Sequence, residues 1–110
     1  MTEETIQQGK TMAFVSYLTL VGLLVALVVN GEKRNPFTSF HVRQSLGLWI
    51  TFMALGYIIG YFDSWLITFA FWIFFGVLFI YSFMTAVSGK AKAAPLVGKL
   101  YQRIFSAIGK

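Results

Sequence analysis

From Thr11 to Ser88 the chain is almost continuously apolar, interrupted by one basic stretch, Glu32 to Arg43, and one short polar break at Asp63–Ser64. Three runs, Thr11 to Asn30, Leu46 to Phe62 and Ser64 to Ser88, contain no Lys, Arg, Asp or Glu. Each approaches the roughly 20 apolar residues that cross about 30 Å of hydrocarbon. The pattern predicts an all-α integral membrane protein, a single membrane domain over 1–110 with three transmembrane helices at about 11–30, 37–61 and 64–87. The first and third runs are rich enough in Leu, Val, Ile and Phe to insert unaided. The middle run carries Gly47, Gly56 and Gly60 and is the one that needs protein neighbours.

The breaks between runs have recognisable chemistry. Asn30–Gly31 reads as a helix end, because both residues tolerate the left-handed conformation; Asn35 and Pro36 read as the N-cap and first residue of the next helix. Asp63–Ser64 caps the third, making the connection so short that the second and third helices form an antiparallel hairpin. Tyr57, Tyr61 and Trp65 gather at that end as an interfacial aromatic belt would. Beyond Gly89, Leu96, Val97, Leu100, Tyr101, Ile104, Phe105 and Ile108 recur at helical spacing, with Lys99, Gln102, Arg103 and Ser106 between them. That stretch predicts an amphipathic helix over about 95–108, too short to cross, lying in the interface with Tyr101 and Phe105 buried and Lys99 and Arg103 near anionic lipid. The alternative is a docking helix for a partner subunit.

Composition agrees: 57% of residues are hydrophobic and 12% charged, against about a quarter charged in soluble domains. With three spans, Lys33, Arg34, Arg43, Lys90, Lys92, Lys99, Arg103 and Lys110 share one side and Lys10 stands alone on the other. The positive-inside rule then sets the N-terminus outside and the C-terminus in the cytoplasm of a multi-pass protein. The net charge of +5 reads as topology and attraction to anionic headgroups, and nucleic acid is not expected as a partner. Met1 to Gly9 is acidic and polar, so the first helix is expected to be its own insertion signal. Without cysteine, disulfides and thiol catalysis are excluded.

The most unusual polar cluster runs from Phe37 to Ser45. At about 100° per residue, His41, Gln44 and Ser45 share one stripe at the start of the second helix, while Ser39 and Arg43 point roughly opposite. Polar groups at such depth face protein or a water-filled cavity. Two readings follow: a structural clamp between helices with Arg43 snorkelling to phosphate, or a lining that contacts a translocating segment, an ion or a headgroup. Gly56 and Gly60 have the small-xxx-small spacing of close helix packing, within the monomer or between copies. Enzymatic chemistry finds no support: there is one His, no paired carboxylates, no metal-ligand spacing and no phosphate loop, so no catalytic residue, metal or cofactor is expected.

Three segments carry a family resemblance: Gln8 to Thr19, Phe37 to Leu48 and Pro95 to Gln102, with Phe40-His41-x-Arg43-Gln44-x-Leu46 the most specific piece. Over nearly the whole chain they resemble bacterial small membrane proteins of the Tic-twenty-like group, kin of the chloroplast protein-import translocon subunit. The resemblance implies a four-helix component of a protein-conducting assembly and brings no catalytic residues with it. The expectation is therefore a non-enzymatic inner-membrane subunit of a larger assembly, with protein translocation or membrane-protein biogenesis as its leading role. Membrane lipids, other membrane-protein subunits or further copies would be its partners. The alternatives are an oligomeric small-solute or ion channel and a lipid-interacting structural protein.

Overall fold

A computed structural model describes residues 1–108; Lys110, counted above among the cations, lies outside them. Among the described residues there are five helices and no strand: α1 (Glu3–Leu18), α2 (Leu20–Lys33), α3 (Pro36–Ile59), α4 (Trp65–Val87) and α5 (Gly98–Ile104). Two of these, α3 and α4, are long and apolar enough to cross a membrane. Only 28% of the apolar window of α3 and 22% of that of α4 is buried within the chain. The core helix of a soluble protein would be mostly covered, so these apolar faces point to lipid.

The expected first span is broken. Thr19 has extended backbone, with φ −152° and ψ 166°, between α1 and α2. Its Oγ1 accepts the Gly22 amide at 3.0 Å, which supplies the N-cap that α2 needs. From there α2 returns along α1: Asn35, just past the end of α2, donates from Nδ2 to the Thr5 carbonyl at 2.9 Å. Helices of 16 and 14 residues are about 24 and 21 Å long, short of the roughly 30 Å of hydrocarbon. The three-span expectation is thus not confirmed: among the described residues two helices are long and apolar enough to cross, and α1 and α2 fold back on one another as a hairpin. Hydropathy misses the difference because the hairpin also shows an apolar face, with Leu20, Val21, Leu24, Val25 and Val28 all exposed.

This arrangement also bears on the orientation expected for the N-terminus. Thr38 Oγ1 donates to the Gly9 carbonyl at 2.9 Å, and a Cβ placed on Gly89 would lie 3.1 Å from Ile6 Cγ2 and 3.4 Å from Lys10 Cε. The start of α1, the α2–α3 loop and the chain after α4 therefore occupy one end of the molecule. That packing does not support an N-terminus opposite the segment that follows α4. The far end is the turn between α3 and α4, where Ser64 Oγ caps α4 by accepting the Ile67 amide at 3.4 Å. Tyr57, Tyr61 and Trp65 stand exposed there.

The two spans are joined by an aromatic seam, with the Phe52 ring stacked on Phe71 at 5.4 Å and edge-on to Phe75 at 5.7 Å. At its other end α4 stops in a Schellman arrangement. Lys90 N bonds the Thr85 carbonyl at 2.8 Å and Gly89 N bonds the Ala86 carbonyl at 3.2 Å, with Gly89 at φ 75°. Only glycine takes that left-handed position without strain. An irregular stretch, Lys90–Ala94, then leads to α5.

The C-terminal helix is shorter than expected, seven residues instead of a stretch over 95–108. It is seated on α3: Tyr101 is buried, and its hydroxyl donates to Thr51 Oγ1 at 2.7 Å. Gln102 Nε2 donates to the Phe40 carbonyl at 2.7 Å. Gly47 makes this seat possible, since a Cβ there would fall 2.2 Å from Tyr101 Cγ. Burial pushes the Tyr101 phenol up, which keeps the donor proton in place. Phe105 packs half-buried on the core, while Lys99 and Arg103 stay exposed.

Candidate functional site

Because Pro36 occupies the first helical position and Asn35 caps it, accepting the Phe37 and Thr38 amides at 2.9 and 3.1 Å, the rotational register of α3 is set at its start. That register turns Phe37, Thr38, Ser39, His41, Val42, Gln44, Ser45, Gly47 and Leu48 into the molecule, all buried. The polar members have partners on α1, α2, α4 and the segment after α4. Among the described residues no buried side-chain nitrogen or oxygen lacks a hydrogen bond.

Gln44 is the centre. Its Nε2 donates to Tyr17 Oη of α1 at 3.0 Å and to Ser82 Oγ of α4 at 3.1 Å, while its Oε1 accepts the Ala94 amide at 2.6 Å. Beside it His41 Nε2 lies 2.8 Å from the Lys90 carbonyl, which can only accept, so that nitrogen carries hydrogen. Nδ1 is then the acceptor for the Tyr17 hydroxyl at 2.7 Å. The tautomer follows from the network, and the hydrogen bonds run in one direction: Gln44 to Tyr17, Tyr17 to His41, His41 to the Lys90 carbonyl. Phe37, Phe40 and Tyr17 rings meet the imidazole edge-on at 4.8, 5.2 and 5.5 Å.

Ser45 serves the α1–α2 hairpin. The last carbonyls of α1 have no partner inside their own helix, and lipid offers none. Ser45 Oγ donates to the Ser16 carbonyl, and Trp49, one turn on, donates to the same oxygen from Nε1 at 3.3 Å. On the other face Ser39 Oγ accepts from Asn30 Nδ2 at 2.8 Å, tying α3 to α2. Asn30 does not end α2, which continues to Lys33, but its Oδ1 accepts the Asn35 amide at 2.9 Å and so shapes the loop.

His41, Gln44 and Ser45 are thus brought together as the periodicity placed them. Arg43 departs from its expected snorkelling: it is half-buried, and its Nε donates to the Ile108 carbonyl at 2.9 Å, holding the end of the chain. Gly56 faces α4, with a built Cβ 3.6 Å from Phe71 Cζ, whereas Gly60 caps α3 and meets only its own helix. Sequence reasoning missed Tyr17 as a member of the layer and Thr19 as the break. The signal was present, since Ser16, Tyr17 and Thr19 interrupt an otherwise apolar run.

The model of the MamF/MmsF family, described as the magnetosome magnetite crystal formation protein family, matches residues 8–106. The chain belongs to the MamF/MmsF family. The match takes in every helix of the buried layer and overturns the Tic-twenty-like resemblance, and the protein-transport role inferred from it falls with it. No match was found among curated proteins or among solved structures. Within this MamF/MmsF chain, no group of three His, Cys, Asp or Glu side chains comes together among the described residues.

Proposed function

We propose that this chain is a non-enzymatic protein of the magnetosome membrane that acts in magnetite crystal formation as a subunit of a membrane assembly. The observation that carries the reading is the family match over residues 8–106, supported by two lipid-facing spans. The buried layer in this reading is a frame: it holds the hairpin, the two spans and the C-terminal segment in one rigid unit whose apolar exterior is left for lipid and for neighbouring subunits or further copies. All eight described cations lie on segments at the end that carries the start of α1 and the chain after α4, and the positive-inside rule makes that end cytoplasmic. Lys10, the one apparent exception in a three-span reading, joins the others once α1 and α2 form a hairpin.

The test is a deletion of the chain in a magnetite-forming host, followed by return of the wild-type sequence. Electron microscopy should show crystals altered in size or shape without the chain and restored with it, and the protein should fractionate with purified magnetosomes. Unaltered crystals in the deletion strain would refute the role. Recovery of the chain only in other membranes would do the same.

A further inference from the structure

A hollow of about 370 Å³ opens beside the C-terminal end of α4, lined by Tyr81, Met84, Thr85, Ser88, Lys90 and Lys92. Its position follows from the buried layer. The Lys90 and Lys92 carbonyls both turn toward α3, where His41 Nε2 holds the first at 2.8 Å and Gln44 Nε2 approaches the second at 3.4 Å. With these carbonyls directed inward, both lysine side chains line the same hollow, and among the described residues neither ammonium has a partner. A third cation stands nearby, since a Cβ built on Gly89 would lie 3.7 Å from Lys10 Nζ.

The Schellman bonds matter to the electrostatics. A helix C-terminus ordinarily repels anions through its free carbonyls, but here the Thr85 and Ala86 carbonyls are already engaged by Lys90 and Gly89. The remaining local charge is positive. Ser88 and Tyr81 add hydroxyl donors, and Met84 and the ring of Tyr81 supply an apolar wall that continues down the lipid-facing side of α4. Counting about 34 Å for 23 helical residues, α4 crosses the hydrocarbon, and this hollow falls at headgroup depth.

We propose that Lys90 and Lys92, with Ser88 and Tyr81, form a binding site for the phosphate of an anionic phospholipid headgroup, with the acyl chains running along α4. The site rests on the membrane placement of α4 and is independent of the mineral role. Its failure would leave the crystal-formation reading standing, and the reverse also holds.

The test uses the full chain in mild detergent, with native mass spectrometry after addition of phosphatidylglycerol or phosphatidylcholine, and a competing arm with inorganic phosphate. The wild-type chain should retain phosphatidylglycerol over phosphatidylcholine. Lys90→Gln with Lys92→Gln should weaken retention roughly 30-fold, from the attraction expected for two lysines at a membrane surface. Lys33→Gln with Arg34→Gln, at the α2–α3 loop, should change it little, and Lys90→Arg with Lys92→Arg should restore it. Binding of millimolar inorganic phosphate without any preference for phosphatidylglycerol would assign the site to the free anion and overturn the lipid proposal. No lipid preference together with no phosphate competition would overturn the proposal, as would equal loss in the Lys33/Arg34 variant. Unchanged circular dichroism of the Gln variants separates lost binding from lost folding.

Discussion

Replacing Gln44 by Leu tests whether the buried layer holds the fold together. The two side chains have similar volume, so the change removes hydrogen bonds without opening a large cavity. Lost are the donations to Tyr17 and Ser82 and the acceptance from Ala94 N–H, together with the long 3.4 Å contact to the Lys92 carbonyl. Interhelical hydrogen bonds in membranes contribute about 0.6 kcal/mol each, giving roughly 1 kcal/mol for the first two. The third loss is larger in kind, because Ala94 is only 4% exposed and its amide is left buried without an acceptor, at about 1–3 kcal/mol. The expected destabilisation is about 2–4 kcal/mol, a fall in thermal midpoint on the order of 10 °C for a chain of this size. Ser45→Ala provides the internal comparison. The Ser16 carbonyl keeps Trp49 as a donor, so the change should cost under about 1 kcal/mol. Melting of both purified variants in the same detergent reads the difference. A Gln44→Leu midpoint within about 2 °C of wild type, or a Ser45→Ala loss as large as that of Gln44→Leu, would refute the account of the layer.

Three further outcomes follow from the packing. Single cysteines at Thr2 and Ala107, introduced into this cysteine-free chain, should label from the same side of sealed membranes and a cysteine at Asp63 from the other; labelling of Thr2→Cys with Asp63→Cys would restore a three-span arrangement. Gly47→Ala places a methyl group within the Tyr101 ring, so limited proteolysis should cut the C-terminal segment beyond Ala94 faster than in wild type while the spans persist. Gly89→Ala forces a side chain into φ 75° against Ile6 and should lower stability by about 1 kcal/mol or more, read in the same melting assay.

Local chemistry was legible where one residue decides it. Asn35 and Pro36 start α3 and Ser64 starts α4 as their cap preferences require, and helical periodicity grouped His41, Gln44 and Ser45 before any coordinates. Their partners were not legible. Tyr17, Ser82 and Ala94 reach Gln44 from three separate elements, across separations of 27 to 50 residues, and no local pattern encodes such meetings. The α1–α2 fold-back escaped for a different reason. A window average weighs apolar content but not backbone continuity, and a single extended residue at Thr19 leaves the average almost unchanged. The C-terminal helix was misjudged because amphipathicity reports an apolar face without reporting what covers it. Here α3 covers it through Tyr101 and Gly47, and lipid was the default occupant only in the absence of that seat.

The hairpin and the polar face of α3 explain one another. A chain that turns back inside a bilayer exposes the carbonyls of one helix end and the amides of the next, and hydrocarbon can satisfy neither. Thr19 answers for the start of α2 from within the hairpin itself. The end of α1 has no such local remedy, so its Ser16 carbonyl draws donors from Ser45 and Trp49, residues one helical turn apart on α3. The same logic operates after α4, where the Lys90 amide bonds α4 and the Ala94 carbonyl accepts from Gly98 of α5, but the Lys90 carbonyl and the Ala94 amide have no backbone partner among the described residues. There His41 and Gln44 stand in, one turn below Ser45 and Leu48, and each contacts a peptide group of the irregular stretch. The polar side chains that weaken the middle segment as an autonomous span are therefore the ones that let the α1–α2 hairpin and the C-terminal segment pack beside it. It follows that α3 should be the last of the three apolar segments to settle, once the hairpin and the C-terminal segment are present to occupy its donors. An isolated α3–α4 hairpin should insert poorly, whereas α4 alone should insert readily.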